Sequence, residues 1–472
     1  MTLYRFTFVL LTLSLCLATT FVSAERQAPS ELKQVHLSFA PLVKKTAPAV
    51  VNIFTQKTLE TRRNFPSLFN DPFFRHFFDR QLGLPRNKPQ SRQNSLGSGV
   101  IVTADGMIVS NRHVIQGADE IQVILADRRE FFAQVLLTDP KTDLAVLKIK
   151  NEDGAFPFID IQDSDDLQVG DLVLAIGNPF GVGQTVTSGI VSALARTKIG
   201  DSDLNSYIQT DAAINPGNSG GALVSVNGRL VGVNTAIYSK SGGSHGIGFA
   251  IPSNMVKAVI RGLSPGGVLL RPWLGATGQT ISQEIANSLG LKRPTGVLIN
   301  AVYKRSAASE AGISVGDIIL AVNGHEVNDE VGLRHRIAML PVGGSAVIRV
   351  WRNGRTRAVQ LVLKSAPEKP DKNETEMRGD QPLSGAVVGN ISPALAEKLG
   401  VDPFVTGVLI FKIIRGSPAA RLGFRPRDYI REVNNQDIND VAGLKRIMSK
   451  STNRWRIGIL RNGKTRNLVV NR

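Results

Sequence analysis

Beyond Leu263 the chain repeats itself, and that repeat limits its architecture more than any other feature. Thr295-Gly296-Val297-Leu298 recurs as Thr406-Gly407-Val408-Leu409, and Ser306-Ala307-Ala308 as Ser417-Pro418-Ala419. Asp317, Val322-Asn323 and Gly332-Leu333 recur as Asp428, Val433-Asn434 and Gly443-Leu444, all 111 residues on, and Arg352-Asn353-Gly354 returns as Arg461-Asn462-Gly463 after 109. Self-similarity at a fixed spacing means one supersecondary unit used twice. The two copies take up residues 263–366 and 383–472, with a charged, proline-bearing linker at 367–382. A chain of 472 residues then has room for one more domain, N-terminal to Leu263.

The first residues stand apart from that domain. Arg5 precedes an apolar stretch, Phe6 to Ala18, and Val22-Ser23-Ala24 precedes the charged Glu25-Arg26. A basic start, a short apolar segment and small residues at its end read as a secretory signal peptide over 1–24, cleaved after Ala24. The apolar stretch is short for a membrane span. The only cysteine, Cys16, lies inside it, so the mature chain would hold no thiol, excluding disulfides and cysteine catalysis.

The net charge of +17 raises the question of nucleic acid, and its distribution answers it. Residues 1–96 carry +8 and 263–472 carry +14, whereas 97–262 carry −5. The basicity belongs to the flanks, with no aromatic and basic platform beside it. Weak association with anionic membrane surfaces is compatible with such charge, and specific nucleic-acid binding is not expected.

After a short arm and a first strand at Ala49 to Phe54, residues 56–96 carry Phe65, Phe69, Phe73, Phe74, Phe77 and Phe78 among Arg, Pro and Asn. Such a stretch is either a solvated loop insertion with a local aromatic cluster or a contact between subunits. From Gly97 the texture is short β-strands between glycine turns, as in Gly99 to Val102, Gly106 to Ser110, Ile121 to Leu125, Leu144 to Ile149, Leu172 to Ile176 and Leu230 to Val233. Helix enters only near Ser253 to Arg261. This spacing predicts an all-β barrel or sandwich.

Within it, Thr210 to Leu223 reads TDAAINPGNSGGAL, with Ser219 between glycines. Glycines let the backbone approach a scissile carbonyl and aim N–H groups at it, although a glycine-rich hairpin with an incidental serine has the same spelling. A serine nucleophile needs a base, and the base needs an orienting carboxylate. Of the six histidines, His113 follows directly on a strand, and Asp143 opens the apolar strand Leu144 to Ile149. Taken singly, each also reads as a surface histidine or a strand-start cap. The order histidine, aspartate, serine is that of the chymotrypsin-like double barrel, and the hairpin after Ser219, with Asn227-Gly228 at its turn, excludes the strand-serine-helix of an α/β-hydrolase.

The motifs SNRHV, TDLAVLKI and TDAAINPGNSGGALV, with GNPFG at Gly177 to Gly181 and VTSGIVSAL at Val186 to Leu194, resemble those of the HtrA (Deg, Do-like) family of envelope serine proteases. The resemblance runs through essentially the whole mature chain. It implies a mainly β protein: a chymotrypsin-like double β-barrel over 25–262, then two PDZ domains, each a small α+β barrel. It implies His113, Asp143 and Ser219 as catalytic residues and the N–H groups of Gly217 and Ser219 as oxyanion hole. It further implies a primary pocket for small aliphatic side chains near Ile214 and Asn215 and the loop 236–247. Trp273-Leu274-Gly275-Ala276 would be the carboxylate-binding loop of the first PDZ domain, with the weaker Ser384-Gly385-Ala386-Val387 as its counterpart. The activity implied is ATP-independent endoproteolysis of misfolded periplasmic proteins, with chaperone action and trimer-based homo-oligomers. Unfolded polypeptides and their C-termini would be the partners, and no cofactor or metal is called for. The absence of a P-loop motif agrees with ATP independence. A PDZ-based chaperone or scaffold with little proteolysis is the alternative.

Overall fold

A computed structural model describes residues 38–58, 92–150, 154–178, 183–196, 204, 206–215, 217–237, 244–264, 269–405, 407–450, 452 and 454–471. The signal-peptide reading, the phenylalanine cluster and parts of the loops at 177–181 and 236–247 fall outside these residues. The strands described lie within the compact unit Lys45–Arg472.

The first six strands close into a barrel in the order β1-β2-β3-β6-β5-β4. They are β1 (Val50–Thr58), β2 (Arg92–Ile101), β3 (Met107–Asn111), β4 (Glu120–Ile124), β5 (Glu130–Asp139) and β6 (Leu144–Ile149). The next six close a second barrel in the order β10-β11-β12-β9-β8-β7. They are β7 (Leu172–Gly177), β8 (Thr185–Arg196), β9 (Tyr207–Thr210), β10 (Ala222–Ser225), β11 (Leu230–Ile237) and β12 (Gly248–Pro252). Closure leaves no unpaired sheet edge, which suits strands as apolar as β6 and β10. The hairpin expected after Ser219 is β10–β11, turning at Gly228 with φ 73°. Helix α1 (Ser253–Arg261) buries Met255, Val256 and Val259 on one face and ends the double barrel.

Each repeat then forms a sheet of its own. The first holds β13 (Ala276–Thr280), β14 (Val297–Val302), β15 (Ile318–Val322), β16 (His325–Glu326), β17 (Ser345–Arg352) and β18 (Arg355–Val362), with helix α2 (Glu330–Ala338). The second holds β19 (Thr375–Glu376), β20 (Ala386–Asn390), β21 (Val408–Ile413), β22 (Tyr429–Val433), β23 (Gln436–Asp437), β24 (Arg454–Arg461) and β25 (Lys464–Asn471), with helix α3 (Val441–Met448). The repeated residues have repeated jobs. Ser306 and Ser417 cap short helices through Ser309 N–H and Ala420 N–H, and Asp329 and Asp440 cap α2 and α3 through the N–H groups of Gly332 and Gly443. Asp317 is paired with Arg352 as Asp428 is with Arg461.

One feature departs from the sequence reading. Thr375 and Glu376, expected in the linker, form a strand paired with β20, so the second repeat's sheet starts upstream of residue 383. Among the described residues no helix is long and apolar enough to cross a membrane.

Candidate active site

The antiparallel pairing of β3 with β6 sets Asn111 opposite Leu144, bringing the residues just beyond each together. His113 lies in the short helix Arg112–Ile115 that follows β3, and Asp143 immediately precedes β6. Asp143 has φ 58°, an unfavourable left-handed conformation for a residue other than glycine. It is held there by its own carbonyl, which accepts from Arg112 N–H at 2.8 Å and from Asn111 Nδ2 at 3.2 Å. The carboxylate thereby faces the histidine: Oδ2 is 2.6 Å from His113 Nδ1, and Oδ1 accepts the His113 backbone N–H at 3.0 Å. A third donor, Thr235 Oγ1, reaches Oδ2 at 3.3 Å from β11. The His113 side chain remains 40% exposed, so its outer nitrogen is accessible.

Ser219 comes from the turn between Thr210 and β10. Its hydroxyl donates to the Thr235 carbonyl at 3.2 Å, so Thr235 touches both the serine and the aspartate. The turn is bound to the first barrel through Ser98 of β2. Ser98 Oγ donates to Gly217 O at 2.6 Å and accepts from Asn178 N–H at 2.8 Å, while Ser98 N–H donates to Ser219 O at 2.9 Å. Gly220, at φ 82°, is required by this crossing, because a Cβ there would lie 2.1 Å from Ser98 O. Among the described residues no acceptor meets the N–H of Gly217 or of Ser219. Two donors without partners beside a serine hydroxyl form an arrangement suited to a developing oxyanion.

Three regions of the chain resemble known domain families. Residues 97–233 match a trypsin-like peptidase domain, and 272–363 and 412–455 each match a PDZ domain. A probable periplasmic serine endoprotease of the DegP-like kind from Chlamydia trachomatis is 39% identical over 449 residues, which are 93% of this chain and 89% of that protein. The periplasmic serine endoprotease DegP of Escherichia coli K12 is 36% identical over 98% of this chain and 97% of its own. The chain belongs to the DegP-like, HtrA family of periplasmic serine endoproteases. Among solved structures, the HtrA-type protease AlgW with a decapeptide is 44% identical over 70% of this chain and 99% of its own, with a TM-score of 0.51. The chain is accordingly a serine endopeptidase built on the double barrel.

The other expected site residues of this family member fall in two places. Ile214 is buried in the apolar core of the second barrel, and Gly248 faces it so closely that a Cβ there would come within 2.8 Å of Ile214 Cδ1. Asn215 is exposed and accepts from Ser244 N–H at 3.2 Å, tying the serine turn to the loop before β12. In the first PDZ domain Trp273 packs edge-on to Tyr303 at 5.3 Å, Leu274 is buried in the core, and Gly275 adopts φ 68°. Among the described residues the N–H groups of Leu274 and Gly275 have no acceptor. The structural counterpart in the second PDZ domain is Leu383 to Ala386, one residue before the expected Ser384 to Val387. Gly275 O accepts from Tyr303 N–H as Gly385 O does from Ile414 N–H, and both glycines abut the capping serines Ser306 and Ser417. The slip arises because the 111-residue spacing shortens to 110 at this loop.

Thr235 and Ser98 were not identified from the sequence. Both are hydroxyl residues inside strands, and nothing local sets them apart from other strand threonines and serines.

Proposed function

We propose that Ser219 is the nucleophile, His113 the general base and Asp143 the carboxylate that fixes the imidazole, with the N–H groups of Gly217 and Ser219 as oxyanion hole. The observation that carries this is the 2.6 Å contact of His113 Nδ1 with Asp143 Oδ2, in a site where Thr235 links that carboxylate to the Ser219 hydroxyl. With Nδ1–H donated to Asp143, the outer nitrogen is the basic one. Ser219 Oγ turns from Thr235 O toward it, attacks the peptide carbonyl and passes its proton to His113. Collapse of the tetrahedral adduct breaks the C–N bond as His113 protonates the leaving amine, and water then repeats the sequence on the acyl-enzyme. Turning the serine away from Thr235 O exchanges one hydrogen bond for another, a small step for a substrate to drive.

Substrates are unfolded or misfolded periplasmic polypeptides, reached after a signal peptide is cleaved following Ala24. Buried Ile214 beside Gly248 favours a shallow pocket for small aliphatic side chains, with Asn215 on its rim. The partnerless N–H groups of Leu274 and Gly275, in the loop Trp273 to Ala276, support capture of substrate C-termini by the first PDZ domain. Chaperone action and trimer-based assembly complete the reading. Covalent labelling by a fluorophosphonate and casein degradation test the catalytic assignment. Both are lost in Ser219→Ala if it is right, and cleavage that survives in that variant overturns it.

A further inference from the structure

The two PDZ domains differ at the sheet edge beside their helices. In the first, β13 is the outermost strand of its sheet among the described residues, and the loop before it has partnerless amides. In the second, the corresponding edge of β20 is taken. Thr375 and Glu376 pair antiparallel with Val388 and Val387, and the segment runs toward the loop Leu383 to Ala386. Met377 continues it, donating its N–H to Ala386 O at 2.8 Å and accepting Gly385 N–H on its carbonyl at 2.8 Å. Gly385 is the counterpart of Gly275, whose N–H meets no acceptor among the described residues. The Met377 side chain is 4% exposed and lies in the apolar cluster that includes Leu383, Leu444 and Met448. Upstream, Asn390 N–H donates to Lys372 O at 2.7 Å and Asn390 Nδ2 to Asp371 O at 2.9 Å. Gly389 permits the approach, since a Cβ there would lie 2.8 Å from Lys372 O.

An extended segment added antiparallel to a sheet edge, its last residue's carbonyl on a loop amide and its apolar side chain in a pocket, has the geometry of a bound peptide terminus. We propose that residues 371–377 are a built-in ligand of the second PDZ domain, so that its groove is filled in cis and takes an outside peptide only by displacing them. The resident also defines the class of competitor: an extended peptide ending in a long, unbranched apolar residue, with a free carboxylate where Met377 presents its carbonyl. The loop from Arg378 to Ser384 holds the resident at an effective concentration on the order of millimolar, which excludes ligands of ordinary PDZ affinity.

The test uses the full chain carrying Ser219→Ala, so that peptide is not cut, and a photo-reactive Asn-Glu-Thr-Glu-Met peptide with a free C-terminus. Cross-links are mapped by mass spectrometry. In this protein they should fall in residues 269–366, with the second PDZ domain labelled at least tenfold less. Inserting twenty Gly and Ser residues between Gly379 and Asp380 touches no buried side chain and lowers the effective concentration, so labelling near β20 and α3 should rise roughly sevenfold. Adding Glu376→Cys and Val387→Cys, which are direct cross-strand partners, with Cys16→Ser, should return labelling to its first level when oxidised and release it when reduced. Equal labelling of both domains without the insertion, no rise with it, or no suppression by the disulfide would each overturn the proposal. None of these readouts depends on the catalytic assignment.

Discussion

The Asp143 carboxylate accepts from the His113 ring, the His113 backbone and the Thr235 hydroxyl. Asp143→Asn keeps the shape but offers an amide donor where Nδ1–H needs an acceptor, which stabilises the wrong tautomer. The expected loss is about 10⁴-fold in kcat with little change in KM, read on a fluorogenic peptide. Thr235→Val removes one donor to a charged group without changing volume, so kcat should fall about tenfold. An unchanged kcat there would mean that the hydroxyl is a bystander. His113, Asp143 and Ser219 stood out as candidates in the sequence because few side chains suit a base, an orienter and a nucleophile, and their order matched one architecture. Thr235 and Ser98 were not, since their roles come from register. Ser98 meets Gly217 across 119 residues of chain, and any strand serine would be spelled the same way.

At the scale of elements, the repeat was legible because turns, caps and one ion pair impose the same residues twice. Asp317 is buried; burial pushes its carboxyl up, but hydrogen bonds from Arg352 and from Ser314 N–H outweigh it and hold the carboxyl below the usual carboxylate range. Arg352 Nε and Nη2 clasp both oxygens, and Nη2 also donates to Gly312 O, which ties β17 to the turn before β15. Arg352→Ala leaves that carboxylate buried without its partner and should destabilise the first PDZ domain by about 3 kcal/mol. Urea unfolding followed by the fluorescence of Trp273 and Trp351 in a Trp455→Phe background reads this directly. The strand at 375–376 was not legible for the opposite reason. Its neighbours are charged and solvated, as in any spacer, and only Met377 marks a side chain with a place in a core.

Across the whole molecule, two neighbouring residues of α2 are among those that join the first PDZ domain to the protease domain, beside His325 near Asp165 and Arg261 donating to Met339 O. Arg336 Nη1 donates to both carboxylate oxygens of Asp165, and buried His335 is bound through Nδ1 to Leu204 O at 2.8 Å. Burial, aided by the Arg336 charge, pushes the His335 imidazole down to about 4 against the opposing pull of the Leu204 carbonyl and Asp165. The folded protein therefore holds His335 neutral, while the unfolded chain binds a proton near pH 6.5. Stability from this group is complete above pH 6.5 and is lost as pH falls toward 4, by about 2 kcal/mol at pH 5 and about 3 kcal/mol at pH 4. The carboxylates held low, such as Asp163 and Asp317, lose their contribution only as pH falls below the ordinary carboxylate range, so the two windows separate. His335→Asn places an amide donor where Nδ1–H stood and has no proton to gain. Denaturant unfolding at pH 7 and pH 5 should show wild type losing stability over that interval while His335→Asn loses about 2 kcal/mol less. A variant with the same pH slope as wild type would mean that the acid sensitivity of the docked domains arises elsewhere.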